Sequence, residues 1–329
     1  MLLKKIVLSV ISLIAQILFS LISLIPSAGF RLTCVKVLAS LMRSLPLPKA
    51  IKGIFVERSK KLKATGLDFE FDSKVNGVRW VATGFPDILT RHLLFEGTYQ
   101  SDVLLALDSF VKEGDIVYDI GGHHGLMALK SSLAVGDNGS VITFEPNPSV
   151  RPLLKENVAL NGFSNIVVEE LALSDRKGSI PFFAQEGDVT WNSTIIQGFV
   201  ADNAKKIMVE TMTLDEYVEE KKLVPNVIKI DTEGSELMIL KGGMNTLKKY
   251  NPVLIMEFNA SAAKAADTTI EKLVQSLKEE SYELYYLEQD SNGYCNDVNK
   301  LTAYALDVPG NRNVICLPES RRPEAALAT

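Results

Sequence analysis

Val117-Tyr118-Asp119-Ile120-Gly121-Gly122-His123-His124-Gly125 carries an apolar run into a turn rich in glycine. Ile116–Ile120 reads as a buried strand, and a helical stretch follows Gly125. Glycines at a strand-to-helix turn let a ligand approach the backbone and set it near a helix N-terminus. A dinucleotide loop needs G-x-G-x-x-G, and Gly121, Gly122 and Gly125 do not have that spacing. Asp119 also closes the strand where a pyrophosphate would pass, and the two negative charges would repel. S-adenosylmethionine presents an ammonium and a sulfonium instead, which suit a carboxylate there. The loop therefore predicts a site for that donor, with Asp119, Gly121, Gly122 and Gly125 as cofactor-binding residues.

Working outward, a second apolar run, Val141–Phe144, ends in Glu145-Pro146-Asn147-Pro148. An acid at the end of the second strand can accept hydrogen bonds from both ribose hydroxyls of a nucleoside, so Glu145 joins the cofactor set. Asn147 is expected to cap the next helix, with Pro148 at its first position. Ile166–Val168, Val227–Ile230, Val253–Phe258 and Asn313–Leu317 read as further strands. Helices are expected over 148–161, 214–221 and 268–280. Strand–helix alternation implies an α/β fold, a doubly wound and mainly parallel sheet covered on both faces. The stretch from Asp175 to Asn226 is longer than one crossover requires and is expected to hold a hairpin or lid.

With these motifs in order, the sequence resembles the FkbM-type methyltransferases from about Gly97 to Asn259. The resemblance rests on Phe95-Glu96-Gly97-Thr98-Tyr99, the Asp119–Gly125 loop, Glu145-Pro146 and Ala172-Leu173-Ser174-Asp175. Its most specific part is Ile228-Lys229-Ile230-Asp231-Thr232-Glu233-Gly234-Ser235-Glu236, followed by Leu240-Lys241-Gly242. It implies a Rossmann-like seven-stranded class I methyltransferase sheet, S-adenosyl-L-methionine as donor, Ala172 at the cofactor, and an oxygen acceptor. Two positions depart from the family pattern: His123 stands where the loop commonly has Asn, and Gln100 where it has an acid.

Methyl transfer to a hydroxyl requires alignment of oxygen, methyl and sulfur and the removal of one proton. Asp231, at the end of a strand expected beside the first, is the candidate general base or acceptor-orienting residue, with helix capping as the alternative. His123 and His124 lie where either could take the proton. Glu236 is expected to serve the following helix, where an acid suits the dipole. No metal is assigned; the alternative is a Mg²⁺ set of Asp231, Glu257 and Asn259. Asn192-Ser193-Thr194 matches a glycosylation sequon, without consequence in a cytosolic domain.

The charge is unevenly spread. Residues 1–63 carry +10 and the remainder −15. A basic apolar head suits an anionic membrane surface, and an acidic body argues against a nucleic-acid partner. Cys34, Cys295 and Cys316 are too scattered for a zinc site or a disulfide framework. Ile6–Ile25 is uncharged and about long enough to span a bilayer, although a cleaved signal shows the same pattern. Ser9, Ser12, Gln16, Ser20 and Ser23 fall on one helical stripe. Phe30–Leu45 reads as a basic interfacial helix with Lys36 and Arg43 on its polar face.

These features divide the chain into membrane-associating helices (1–49), a cap of the catalytic domain (50–110), the methyltransferase domain (111–318) and a flexible tail (319–329). The expected function is O-methylation of a hydroxylated small molecule or glycan, with the protein membrane-associated and its catalytic domain cytoplasmic. A catalytically idle, membrane-tethered binding module is the rival from another class. An NAD-dependent oxidoreductase is disfavoured by Asp119 and the loop spacing.

Overall fold

The computed structural model describes residues 2–59, 68–73, 77–83, 88–185, 193–199, 204–289, 301–306 and 311–321. Asn192 of the sequon and most of the predicted tail lie outside them. The chain forms two compact bodies that divide at Ser101/Asp102, so residues 1–49 belong with the segment that follows them.

In the first body, α1 (Leu2–Ser23), α2 (Ala28–Ser44), α3 (Lys49–Ser59) and α4 (Ile88–Phe95) accompany a hairpin of β1 (Asp68–Ser73) and β2 (Val78–Thr83). Ser27 caps α2 by accepting from the Phe30 amide, which makes the Pro26-Ser27 break a helix start. Phe19 is buried among Val35, Met42, Phe55 and Phe95 and meets Phe55 and Phe95 edge-on. Arg43, expected on the outer face of an interfacial helix, instead turns inward and donates to the Leu94 carbonyl. That bond satisfies a helix-end acceptor the sequence cannot locate.

The second body opens with α5 (Ser101–Phe110) and continues as β3 (Ile116–Ile120), α6 (Leu126–Val135), β4 (Ser140–Phe144), α7 (Arg151–Asn161) and β5 (Ile166–Glu169). A small sheet follows, of β6 (Ala172–Leu173), β7 (Gly178–Ala184) and β8 (Lys205–Met212), and then α8 (Leu214–Lys221) and β9 (Val227–Ile230). The chain ends through α9 (Glu236–Gly242), α10 (Met244–Tyr250), β10 (Val253–Phe258), α11 (Ala260–Ala265), α12 (Ile270–Glu279), β11 (Tyr282–Leu287), β12 (Leu301–Ala303) and β13 (Arg312–Pro318).

The main sheet runs β12-β11-β13-β10-β9-β3-β4-β5. Strands β5, β4, β3, β9 and β10 are parallel, and β13 is inserted antiparallel between β10 and β11. Without the short edge strand β12, this is the seven-stranded class I methyltransferase sheet. Its central strands are buried on both faces, which is why they read as unbroken apolar runs. From β3 the chain proceeds to β4 on one side and later to β9 on the other, so the crevice beyond β3 and β9 is the topological switch point.

One helix start differs from expectation. Asn147 closes a turn by accepting from the Ser149 amide, and α7 begins at Arg151 with Pro152 in its first turn. The Glu145 carboxylate accepts from the Asn147 amide within this turn. The Asp175–Asn226 stretch supplies the predicted hairpin as the antiparallel pair β7–β8.

Candidate active site

A cleft of about 580 Å³ opens at the switch point, lined by Gly121 and His123 after β3, Glu145 and Pro146 after β4, and Asp231, Thr232 and Glu233 after β9. Ala172 and Leu173 of β6 and Phe182 of β7 complete it, with Ser193, Thr194 and Ile195. The small sheet is tied to both rims. Asn147 donates to the Ser193 hydroxyl (3.0 Å), and the Thr194 hydroxyl donates to the Glu233 carbonyl (2.8 Å).

The glycines shape the cleft by what they lack. Gly121 has φ +86°, and a Cβ on it would lie 1.9 Å from the Asp231 carbonyl oxygen. A Cβ on Gly122 would fall 2.0 Å from the Thr143 hydroxyl. Both amides donate to the Phe144 carbonyl, which pins the turn against the end of β4. Gly125, at φ +93°, starts α6 over Leu154. Gly122 and Gly125 thus build the wall without lining the cleft.

Glu145 is buried at the cleft edge, each carboxylate oxygen held by one amide: His123 (2.8 Å) on one and Asn147 (2.7 Å) on the other. Burial lifts its pKa to about 7 against these bonds. Each oxygen keeps a further lone pair for a ligand hydroxyl.

Asp119, expected at the cofactor, lies beneath the loop. It is 1% exposed and does not line the cleft. Its carboxylate pairs with the Lys229 ammonium (3.3 Å) and accepts from the Thr143 hydroxyl (3.2 Å). Lys229, likewise buried, lies 3.8 Å from Asp231 and donates to the Gly121 carbonyl (2.8 Å). Burial raises the Asp119 pKa in spite of Lys229. Burial also opposes the ammonium, yet Asp119 and Asp231 together keep the Lys229 pKa above the ordinary lysine value. Inside the protein, Lys229 supplies Asp119 with a counter-charge. Asp119 acts on the cleft by fixing the lysine that holds the Gly121 turn.

His123 lines the cleft at φ +47°, its ring stacked on His124 at 3.9 Å. Burial, then His124 and Lys229, hold its imidazole well below the ordinary range, so it is neutral at physiological pH. His124 is buried behind the loop, where its carbonyl accepts from Asn157, and it is not in the cleft lining.

Asp231 ends β9 and faces the cleft with its carboxylate one fifth exposed. The carboxylates of Asp231, Glu233 and Glu257 offer oxygens all within 4.8 Å of one another, a spacing that suits a hard cation. Burial and then Asp231 raise the pKa of both glutamates. Asn259, named in the alternative metal set, instead caps α11 through its carbonyl oxygen and donates to Glu233 (3.3 Å). Glu233 takes its place in the cluster. Glu236 gathers the Thr232 and Gly234 amides, the structural role expected of it.

Against known proteins, the methyltransferase FkbM domain matches residues 119–284. The hexuronic acid methyltransferase AglP of Haloferax volcanii is 30% identical over 157 residues, covering 47% of this chain and 61% of the relative. An uncharacterised protein of Methanocaldococcus jannaschii is 27% identical over 133 residues, 35% of this chain and 48% of its own. The chain thus spans about half to three fifths of these relatives. Among solved structures, an FkbM methyltransferase of Methylobacillus flagellatus aligns over 70% of this chain and 53% of its own, at 12% identity and a TM-score of 0.38. A SAM-dependent O-methyltransferase of Thermotoga maritima aligns over 83% of each chain, at 13% identity and a TM-score of 0.37. With the FkbM domain matched across half of the sequence, from the Asp119 loop into β11, this chain belongs to the FkbM methyltransferase family.

Proposed function

We propose that the protein is an S-adenosylmethionine-dependent O-methyltransferase acting on a hydroxyl of a sugar, glycolipid or secondary metabolite. One observation carries the choice of cofactor. Among the described residues, the titratable side chains lining the cleft are Glu145, Asp231, Glu233 and a neutral His123, with no lysine or arginine. Such a lining repels a pyrophosphate and suits a sulfonium. The apolar Ile120, Phe144, Ala172 and Leu173 suit an adenine ring, and Glu145 suits ribose hydroxyls.

Bound there, the cofactor supplies an electrophilic methyl group. Asp231 is the residue we assign to the acceptor hydroxyl, orienting it and taking its proton. His123, held neutral by its surroundings, is a hydrogen-bond partner for that hydroxyl. The acidic corner of Asp231 and Glu233 favours an uncharged hydroxyl over a carboxylate as acceptor. The hexuronic acid methyltransferase among the relatives supports a sugar as the acceptor class.

We further propose that the first body attaches the protein to a membrane, with the catalytic body cytoplasmic. In support, Lys5–Ser23 is long and apolar enough to cross a bilayer, with a mean hydropathy of 2.4. The −15 of the residues after 63 argues against a nucleic-acid partner.

The test is calorimetric titration of S-adenosylhomocysteine, and separately NADH, into the full chain. Micromolar binding of the former is expected. Glu145→Gln should weaken it about tenfold, as for loss of a hydrogen bond to a charged group. NADH binding in its place would refute the proposal. Donor binding without turnover on any hydroxylated extract would identify an idle module.

A further inference from the structure

We propose that α1 is an in-plane anchor, lying flat in the headgroup region of an anionic membrane instead of crossing it. This rests on the membrane attachment proposed above and fixes its geometry.

A helix of 22 residues is long enough to span. Its surroundings decide otherwise. Along the whole of α1, Ile6, Val10, Leu13, Ile17 and Leu21 are each at least half exposed and fall within one third of the helix circumference. The opposite face, Ala15, Phe19 and Ile22, is buried against α2 and α3. Over residues 15–22 the helix is therefore two-sided: one stripe needs an apolar partner and the other already has one.

At mid-length the flank beside that buried face is polar. Ser12 accepts from Nε and Nη2 of Arg58 on α3, at 2.9 and 2.6 Å. Ser9, Ser12, Gln16 and Arg58 line a groove of about 800 Å³ between α1 and α3. If α1 crossed a bilayer, Ser12 would sit near the midplane and bring the Arg58 guanidinium with it, beside Lys49, Lys52 and Glu57 of the same helix. If α1 lies flat, its apolar stripe meets acyl chains while Arg58 and the groove stay on the water side.

Charge names the surface. The first 63 residues carry +10 on a chain that is otherwise acidic, which matches anionic headgroups. Exposed Phe30, Val37 and Leu41 form a further apolar stripe on α2.

The test uses the full chain with Cys34→Ser and Cys295→Ser; Cys316 is fully buried and stays. Val7→Cys, Ile14→Cys and Leu21→Cys are spin-labelled one at a time, and their depth is read by oxygen and nickel accessibility. The vesicles are phosphatidylcholine with and without phosphatidylglycerol. Expected are binding to the anionic vesicles that weakens with salt, and one shared depth of about 5–10 Å for all three labels. Ile14→Glu with Ile17→Glu should lower vesicle binding about tenfold or more without changing the melting temperature. A profile deepest at residue 14 and shallow at 7 and 21 would mean a spanning helix and overturn the in-plane geometry alone. Absence of vesicle binding, or a dimer closed through the stripe, would overturn membrane attachment as well.

Discussion

Replacing Lys229 by Met tests whether the central ion pair holds the cleft. Met keeps the length and flexibility of the lysine stem, so the packing loss is small. What goes is the 3.3 Å pair with Asp119, the 3.8 Å approach to Asp231 and the 2.8 Å bond to the Gly121 carbonyl. Asp119, 1% exposed, then has a buried charge answered only by Thr143. Stranding one partner of a buried pair costs about 3–5 kcal/mol. In a body of this size that corresponds to a fall in melting temperature of about 6–20 °C.

The assay is thermal and urea unfolding of the full chain at pH 5 and pH 8, with Lys229→Met/Asp119→Asn beside the single variant. Without Lys229 the folded pKa of Asp119 rises further above its unfolded value. The folded state then binds more protons than the unfolded one, so stability falls as pH rises, and the deficit should be larger at pH 8. Removing the stranded charge as well should restore at least half of the loss. A deficit below about 1 kcal/mol, or one that Asp119→Asn leaves unchanged, would refute the argument.

Gly121→Ala should prevent folding or cost more than about 3 kcal/mol, because its Cβ would overlap the Asp231 carbonyl at φ +86°. Gly162→Ala, also at positive φ but with open space around it, should cost only about 1 kcal/mol; equal losses in unfolding assays would remove the steric argument. Glu257→Gln should stabilise the protein by about 1–3 kcal/mol at pH 8 and by less at pH 5. Its raised pKa means that the folded state loses stability as pH climbs, and the neutral amide escapes that loss. Wild type outlasting the variant at pH 8 in metal-free buffer would reverse this sign. Asp231→Asn should lower kcat by about 10²–10⁴ while S-adenosylhomocysteine affinity changes less than threefold; unchanged turnover would reduce Asp231 to a structural residue.

The sheet is legible where one force dominates. The strands from Ile116, Val227 and Val253 are buried on both faces, so burial alone writes an apolar run, and the structure returns the same bounds for all three. Tyr282–Leu287 escapes that rule. It is a strand near the sheet edge whose Glu283 and Tyr286 interrupt the apolar run, and only its tyrosines mark it as a strand. Helices α3 and α4 are missed for a related reason. Lys52 and Arg91 occupy buried positions there, so the apolar periodicity is broken by side chains whose partners are distant in sequence. The cleft residues from the long insertion, Phe182 and Ser193 to Ile195, carry no local signal either. The Asn147–Ser193 and Thr194–Glu233 bonds that bring them in join positions 46 and 39 residues apart.

Asp119 is the most instructive position, because its sequence signal asks for a counter-charge and the structure sets Lys229 against it. A carboxylate at the end of a fully buried strand must have a counter-charge, and a ligand is only one source. The other source is visible in the same sequence. Ile228-Lys229-Ile230 places a lysine inside a run otherwise written by burial, and a buried ammonium makes the same demand with opposite sign. The two demands fall in register. Asp119 and Lys229 each stand one residue before the end of their strands, β3 and β9 are parallel neighbours, and the two residues face each other directly. Side chains opposite one another in a sheet point to the same face. Expecting the fourth strand beside the first therefore already implies that Asp119 and Lys229 meet. Once they do, the acids left to face the cleft are the ones at the strand ends, Glu145 and Asp231, together with Glu233 just beyond, and it is on these that the proposed preference for a cationic donor rests.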